Sequence, residues 1–253
     1  MPGSRPYLSV VVPAYNEAER LPRTIPRIVE FLSAQGYTYE VIVADDGSTD
    51  CTPALVRDLA QRHPRVHLLS LPHRGKAYAV RKGMLECRGE RILFTDADLS
   101  APITEATRLL RRLDQGYDIA IGSREAPGSH RHSEPLYRHV MGRVYNLAVR
   151  IVTGGKYQDT QCGFKLFTRE AADDVFNRLL LYSDDARHVV GPMVTGLDVE
   201  ILQAAKRRGY RVAEVGVEWH YSAGSKVRPA LDTYRMLKDL LKVSLYDIRG
   251  KYR

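Results

Sequence analysis

The sequence predicts an α/β protein with a Rossmann-like, mostly parallel sheet and helices on both faces. Two observations carry this prediction. Short apolar runs rich in β-branched residues alternate with helix-like periodic segments along residues 8–121, which is typical of doubly wound sheets. In addition, the chain of 253 residues is 44% hydrophobic, enough for one large core.

Each element has its own local signal. LSVVV over 8–12 and EVIVA over 40–44 are typical of buried strands, and Gly36 and Gly116 each follow a helical segment and predict its end. The predicted strands cover residues 8–12, 40–44, 66–69, 91–94, 118–121 and 211–219. The predicted helices cover 18–35, a segment after Asp50, 75–87, 103–115, 136–152, a segment after Thr168, 197–208 and 232–246.

Acidic residues follow three of the predicted strands, at the end of the sheet where ligands bind in this architecture. They are Glu17, Asp45, Asp46, Asp96 and Asp98. Asp96 and Asp98 are two apart, so in extended backbone both carboxylates can face one site. Such a pair suits Mg²⁺ or Mn²⁺ on a diphosphate. The alternative is that the two residues cap the helix that begins near Pro102.

The composition limits the partners and the compartment. The net charge is +8, which favours polyanionic partners: nucleic acid, an anionic membrane surface or phosphorylated substrates. No apolar run is long enough to span a membrane, and the N-terminus is unlike a signal peptide. Three cysteines without metal-ligand spacing indicate a reducing, cytosolic compartment.

Polar and basic segments dominate the second half. Residues 122–135 are rich in Gly, Pro and Ser, so we expect a long loop there, with His130 and His132 in a solvated segment rather than a metal site. Helix 136–152 carries an apolar and a basic stripe, and helix 232–246 is also amphipathic. Such helices can lie on an anionic membrane or pack on their own domain with a wet basic side.

Eight motifs stand in one order along nearly the whole chain. They are PAYNE (13–17), DDGSTDCT (45–52), GKAYAVRKGM (75–84), DADL (96–99), GSR (122–124), DTQCGFKLF (159–167), GLDVE (196–200) and GSKV (224–227). With them the chain resembles inverting glycosyltransferases of the GT-A fold, family 2 type. Within these it is most similar to dolichyl-phosphate or polyprenyl-phosphate glucosyltransferases and next to dolichyl-phosphate mannose synthases.

The resemblance implies a role for each candidate site residue. It implies that the base and ribose of a nucleotide-sugar donor contact Pro13, Tyr15, Glu17, Asp45 and Asp46. Lys76 and Lys226 would lie near the nucleotide and its phosphates, and Asp96 and Asp98 would hold the sugar and the metal. The acceptor phosphate would bind Arg124, with Arg138 or Arg143 as further candidates. For a hydroxyl acceptor, Asp198 or Glu200 would be the general base. The alternative for Asp198 is that its carboxylate, in the first turn of its helix, stabilises that helix by interacting with the helix dipole.

The resemblance also implies the reaction and its place. We expect transfer of glucose from UDP-glucose to a polyprenyl phosphate by a single domain over 1–253, with residues 1–121 binding the donor and 122–253 the acceptor. Relatives often carry a membrane helix, but this sequence has no apolar run long enough for one. We therefore expect the chain to dock peripherally on the cytoplasmic face. The alternatives are GDP-mannose as donor, a soluble hydroxyl acceptor, or a sugar-phosphate nucleotidyltransferase. A binding protein or nucleic-acid binder is disfavoured because both Asp96 and Asp98 are present.

Overall fold

A computed structural model describes residues 5–132, 136–183, 196–221 and 229–253, with the side chains of 136–138, 140 and 229–234 outside the description. The strands are β1 (Leu8–Ala14), β2 (Tyr39–Asp45), β3 (Val66–Ser70), β4 (Arg91–Thr95), β5 (Ile119–Ser123), β6 (His130–His132), β7 (Phe164–Thr168), β8 (Val212–Gly216) and β9 (Glu218–His220). The helices are α1 (Leu21–Ser33), α2 (Thr52–Arg62), α3 (Lys76–Glu86), α4 (Ala106–Asp114), α5 (Leu136–Thr153), α6 (Arg169–Asn177), α7 (Leu197–Arg207) and α8 (Pro229–Ile248), and a 3₁₀ turn covers Ile103–Glu105.

Seven strands form one sheet in the order β3-β2-β1-β4-β7-β5-β8. β1 pairs in parallel with β2 and β4, β2 with β3, and β5 with β8. Only β7 runs against its neighbours among these strands. This mostly parallel sheet, with the sequence order reversing beside β1, confirms the predicted fold class. It also places a crevice at the carboxyl ends of β1 and β4, where ligands bind in such sheets.

Two apolar layers cover the sheet, one on each face. Val10 and Val12 point into the layer formed with α1, α2 and α4, whereas Val11 points into the layer formed with α3, α6 and α7. All three are fully buried, and burying such a side chain contributes about 1.5–3 kcal/mol. The β-branched run in β1 therefore serves both layers, as a central parallel strand must.

Strand β7 differs from the sequence prediction, which has the motif DTQCGFKLF leading directly into a helix. Phe164–Thr168 instead lies antiparallel between β4 and β5. Its register places Lys165 opposite Phe94, near the end of β4. The second half of the chain thus contributes strands to the same sheet as the first half.

Residues 122–132, part of the polar segment predicted as a loop, include a short strand. This strand, β6, pairs in parallel with β9, and we call this pair the β6–β9 ribbon. Residues 133–135 lie outside the described residues, as do most of the loop before Gly196 and the motif GSKV, including Lys226.

The amphipathic helices predicted over 136–152 and 232–246 are present as α5 and α8, and they contact each other. Among the described residues, every exposed large apolar side chain except Leu180 lies on these two helices. These side chains, which we call the apolar face, are Met141, Val144, Leu147, Ile151, Val152, Leu237, Leu241, Leu245 and Ile248. In the part of the chain that the structure describes, no helix has the length and apolarity needed to cross a bilayer.

Candidate active site

The loops after β1 and β2 are tied into one unit by the side chain of Asn16. Its Oδ1 accepts hydrogen bonds from the amides of Thr49 (2.9 Å) and Asp50 (3.3 Å). The backbone amide of Asn16 donates to Ser48 Oγ at 2.9 Å. Asn16 adopts a positive φ of 53°, a conformation that asparagine tolerates better than most residues. The two loops thus form one wall of the crevice.

Asp45 and Asp46 differ in what they bind, although both are buried. Asp46 accepts from His73 Nδ1 (2.7 Å) and from the amides of Arg74 (2.8 Å) and Gly75 (2.9 Å). Burial raises the pKa of Asp46 despite these donors. Asp46 therefore holds the turn that leads into α3.

The two carboxylate oxygens of Asp45 differ in their hydrogen bonds. Its Oδ2 accepts from the amide of Ser48 at 3.3 Å, whereas its buried Oδ1 has no hydrogen-bond partner among the described residues. A buried carboxylate oxygen without a donor is costly. An N–H group of a nucleotide base would satisfy it.

An aromatic pair lies beside these carboxylates. The ring of Tyr15 stacks on His73 with a centroid separation of 4.0 Å and an interplanar angle of 4°. Pro13 lies in β1 opposite Ala44, and Glu17 is held by Arg20 at 2.8 Å. The structure therefore brings together Pro13, Tyr15, Glu17, Asp45 and Asp46. It adds His73, which no sequence motif indicated.

Asp96 and Asp98 lie on a turn that is fixed from two sides. Thr24 Oγ1 of α1 donates to the carbonyl of Ala97 at 2.6 Å, and the amide of Ser100 donates to Asp98 Oδ1 at 3.0 Å. The capping alternative is wrong, because the 3₁₀ turn that follows has Pro102 at its N-cap and no side-chain cap.

Two lysines compensate the negative charge of this turn. Lys76 Nζ, from the first position of α3, lies 2.5 Å from Asp96 Oδ1. Burial alone would lower the pKa of Lys76, but Asp96, with Asp198 and Asp98 beyond it, raises that pKa. Lys165 is fully buried and donates to Asp198 and, at 2.5 Å, to the carbonyl of Cys162. Lys76 and Lys165 therefore each pair with one carboxylate, Asp96 and Asp198 respectively.

Asp98 is in no ion pair among the described residues, whereas Asp96 is paired with Lys76. Burial, together with the nearby charge of Asp96, raises the pKa of Asp98. A divalent cation bound beside Asp96 and Asp98 would relieve the repulsion between their carboxylates. The oxygen donors also fit Mg²⁺ or Mn²⁺ better than a softer metal ion.

Gly163 lies directly against the carboxylate of Asp96. A Cβ at position 163 would stand 2.4 Å from Asp96 Oδ2, which is closer than nonbonded atoms approach. The motif DTQCGFKLF thus supplies Gly163, which lies against Asp96, and Lys165, which pairs with Asp198. The sequence indicated the motif but not these two contacts.

Arg124 lies in a buried ion pair. Its Nε and Nη2 donate to the two oxygens of Asp159 at 2.7 and 2.9 Å, and its guanidinium lies over Trp219 at 5.4 Å. Asp159 is fully buried. Burial acts to raise the pKa of Asp159, but Arg124 and the amides of Arg124 and Gln161 hold it well below its usual range. The guanidinium of Arg124, predicted to bind the acceptor phosphate, thus already binds the carboxylate of Asp159.

Two arginines and a histidine surround Glu125. Arg143 and His139 of α5 approach its carboxylate at 3.0 and 3.2 Å, and Arg131 of the ribbon also donates to it. Glu125 therefore connects the ribbon to α5. Of the other candidates for the phosphates, Lys226 and the side chain of Arg138 lie outside the described residues.

Glu200 serves as an anchor inside the protein. Its Oε1 accepts from the amides of Leu180 (2.7 Å) and Leu181 (3.1 Å) and from Tyr252 Oη (2.9 Å). Both Glu200 and Tyr252 are fully buried. Of the two carboxylates considered as a general base, only Asp198 is therefore partly exposed, at 17% of its side chain.

The sequence model of the family described as Glycosyl transferase family 2 matches residues 9–176. The chain belongs to glycosyl transferase family 2. It is a glycosyltransferase, and the matched segment contains the turn with Asp96 and Asp98 and the loops after β1 and β2.

Similar proteins agree with this assignment. The chain is 34% identical to a dolichyl-phosphate beta-glucosyltransferase of Trichomonas vaginalis over 98% of its own length and 76% of that protein. It is 35% identical to the human dolichyl-phosphate beta-glucosyltransferase over 97% of its own length and 77% of that protein. A solved structure of glucosyl-3-phosphoglycerate synthase from Mycobacterium tuberculosis, in complex with Mn²⁺ and UDP, superposes with a TM-score of 0.63 at 20% identity, covering 97% of this chain and 80% of that one. The GT-A fold is thereby confirmed.

Substituting Gly163 by alanine tests the contact with Asp96. We expect Gly163→Ala to lower the turnover rate by about 100-fold, because a displaced carboxylate misaligns the donor, while the protein stays folded. The measurement is release of nucleoside diphosphate, with a thermal melt for folding. Gly142→Ala is the control, since a Cβ at that helical position meets nothing within 4 Å. A Gly163→Ala enzyme with normal turnover would contradict the contact.

Substituting Asp159 by asparagine tests the buried ion pair. At pH 7 we expect Asp159→Asn to lower the free energy of unfolding by about 3 kcal/mol, because Arg124 loses its charged partner. Since the pKa of Asp159 is depressed in the folded state, its contribution is complete above the unfolded value of roughly 3.9 and is lost as pH falls through the folded value. The difference between the two proteins should therefore shrink below about pH 4 in urea titrations.

The control for this measurement is Asp114→Asn, which breaks a surface pair with Arg91 and should cost less than about 1 kcal/mol. A difference between the Asp159→Asn variant and the unmodified protein that stays constant from pH 7 to pH 3 would contradict the depressed pKa.

Proposed function

We propose that this glycosyltransferase transfers glucose from UDP-glucose to a polyprenyl phosphate, with inversion at the anomeric carbon. The observation that supports this most is the crevice of carboxylates at the ends of β1, β2 and β4. The names of the relatives that align over nearly the whole chain indicate the sugar and the class of acceptor.

The donor site in this proposal uses the loops after β1 and β2. The unsatisfied oxygen of Asp45 accepts from the N–H of the base, and Glu17 or Asp46 lies near the ribose hydroxyls. Tyr15 and His73 form a flat aromatic surface at the same place. Lys76 lies between the nucleotide loops and Asp96, where its ammonium can approach the diphosphate.

Asp96 and Asp98 would hold a divalent cation on that diphosphate. When bound, Mg²⁺ or Mn²⁺ neutralises the charge that develops on the leaving nucleoside diphosphate. Two carboxylates leave coordination positions for phosphate oxygens, as magnesium sites usually do. In this proposal Asp98 is the main ligand, because it is in no ion pair among the described residues, and Asp96 is shared with Lys76.

The bond changes need no strong base. An oxygen of the acceptor phosphate forms the new bond to the anomeric carbon, and the bond from that carbon to the diphosphate breaks on the opposite face. The acceptor is already anionic, so positioning and charge stabilisation are sufficient. Asp198 then orients the ammonium of Lys165 rather than accepting a proton.

The acceptor phosphate needs cations, which cluster around Arg124 and Glu125. In the proposal Arg124 is partly a positioning residue, since Asp159 fixes its fork. Arg143 is 60% exposed and bound to Glu125, so it is the cation best placed to approach a phosphate from the side of α5. A guanidinium suits this role because its planar fork matches phosphate oxygens.

A lipid acceptor requires a membrane surface, and the apolar face of α5 and α8 supports one. Exposed apolar residues on an amphipathic helix can enter the boundary between headgroups and acyl chains. Exposed cations flank the apolar face: Arg143, Lys156, Lys238, Lys242 and Arg249. We propose that this surface docks on the anionic cytoplasmic side of the membrane, where each cation near the surface contributes about 1 kcal/mol.

A donor panel tests the reaction. UDP-glucose, GDP-mannose and related donors are assayed with Mg²⁺ or Mn²⁺ and a short polyprenyl phosphate for release of nucleoside diphosphate. We expect release from UDP-glucose that requires the lipid, is abolished by a chelator, and falls by at least about 100-fold in Asp98→Asn, because charge stabilisation is lost. Asp114→Asn is the matched control.

Other outcomes of the panel would identify the alternatives. Release from GDP-mannose in place of UDP-glucose would change the donor, and release that ignores the lipid would indicate a hydroxyl acceptor. Release of pyrophosphate would indicate a nucleotidyltransferase. If no donor is hydrolysed or transferred, the proposal fails.

Vesicle sedimentation tests the membrane surface. We expect the protein to sediment with vesicles that contain anionic lipid, and less so at high salt. The double substitution Ile151→Gln with Leu241→Gln should weaken this binding by at least about tenfold, since each side chain loses its apolar burial. Ala54→Gln, at an exposed position on α2, is the control and should bind as the unmodified protein does. The proposed membrane surface would be contradicted if the control lost as much vesicle binding as the double variant, or if the unmodified protein did not bind vesicles.

A further inference from the structure

The β6–β9 ribbon gathers three histidines and a glutamate on one of its faces. Its parallel register pairs His130 with Glu218 and His132 with His220. Residues two apart on a strand point to the same side, so these four side chains share a face. Trp219 points to the opposite face, where it packs against the apolar core and under Arg124. The histidine face is therefore directed towards solvent.

The nitrogens of two of these histidines converge on one carboxylate oxygen. His220 Nε2 lies 2.8 Å and His132 Nε2 3.5 Å from Glu218 Oε1. The two imidazole rings are stacked at 4.6 Å with an interplanar angle of 12°. One ligand atom from each of the three residues lies within 4.8 Å of the others. Each of these side chains is about half exposed, so an ion can reach them from solvent.

We propose that His132, Glu218 and His220 form a binding site for a divalent transition metal ion of the zinc class, separate from the site at Asp96 and Asp98. Two imidazoles and one carboxylate are a ligand set that zinc accepts, with distances of about 2.0–2.2 Å and a fourth position open to water. The three ligand atoms, which lie within 4.8 Å of one another, would move closer together around such an ion. His130 lies beside Glu218 on the same face and is the nearest further imidazole.

The two sites differ in the ions that they select. The crevice offers carboxylate oxygens, which suit Mg²⁺ and Mn²⁺, whereas imidazole nitrogens favour zinc, cobalt, nickel and copper. The sites are nevertheless neighbours, because the amide of His220 donates to the carbonyl of Ser100 at 2.7 Å and the amide of Ser100 donates to Asp98. An ion on the ribbon would therefore fix the strand that supports the turn with Asp96 and Asp98.

Titration of the metal-free full chain with Co²⁺ and Zn²⁺ tests this inference. We expect Co²⁺ bound at the ribbon to give a visible ligand-field band from nitrogen coordination, and we expect Zn²⁺ to displace it. Zn²⁺ affinity is measured by competition with a chromophoric chelator. We expect each of three single substitutions to weaken Zn²⁺ binding by at least about tenfold: His132→Gln, His220→Gln and Glu218→Gln. Each removes a ligand, and removing even a residue that only supports a ligand lowers metal affinity by that factor.

Two controls make the result specific. His67→Gln removes an exposed histidine from β3 and should leave Zn²⁺ binding unchanged. Asp98→Asn should retain Zn²⁺ binding, which separates the ribbon from the carboxylate turn. Thermal melts of the metal-free variants confirm folding, and Zn²⁺ should raise the melting temperature of the unmodified protein but not of His220→Gln.

Unchanged Zn²⁺ affinity in the histidine and glutamate variants would overturn the inference. Loss of Zn²⁺ binding in Asp98→Asn would also overturn it, since one ion would then be shared with the crevice. Neither result depends on the identity of the sugar donor or acceptor.

Discussion

Repulsion between carboxylates at one edge of the sheet is the constraint on which the arrangement of this protein depends. Parallel strands bring their carboxyl ends to the same edge, so the acids that follow β1, β2 and β4 cannot avoid one another. The fold answers each charge separately: amides and His73 for Asp46, Lys76 for Asp96, and Lys165 for Asp198. Asp98 is left without an ion pair, and in our proposal a divalent cation binds there.

This constraint also explains why a reversed strand lies in the middle of a parallel sheet. β7 delivers Lys165 and, just before it, Gly163 to the end of β4. The lysine supplies positive charge inside the protein, and the glycine leaves room for the carboxylate of Asp96.

Local patterns in the sequence were enough for the helices, the acidic turn and every strand of the seven-stranded sheet except β7. β-Branched runs, glycine stops and strand-end acids are local signals, and the strand-end rule places Asp45 and Asp96 together without knowledge of the contacts. The pairs that decide the role of other residues are not local. Asp159 meets Arg124 across 35 residues and Lys165 meets Asp198 across 33. Short apolar runs such as FKLFT also fit a helix or a strand, and the partner strand of His132 lies far along the chain.

The cysteines have a practical consequence for following donor binding. Burial raises the pKa of Cys87 to about 11 and that of Cys162 to about 12, so both thiols stay protonated and closed to reagents. Cys51 is exposed and directly follows the loop after β2, in which the amides of Thr49 and Asp50 bind Asn16. A maleimide fluorophore will therefore attach at Cys51 in the unmodified chain, where it reports movement of that loop without any engineered cysteine.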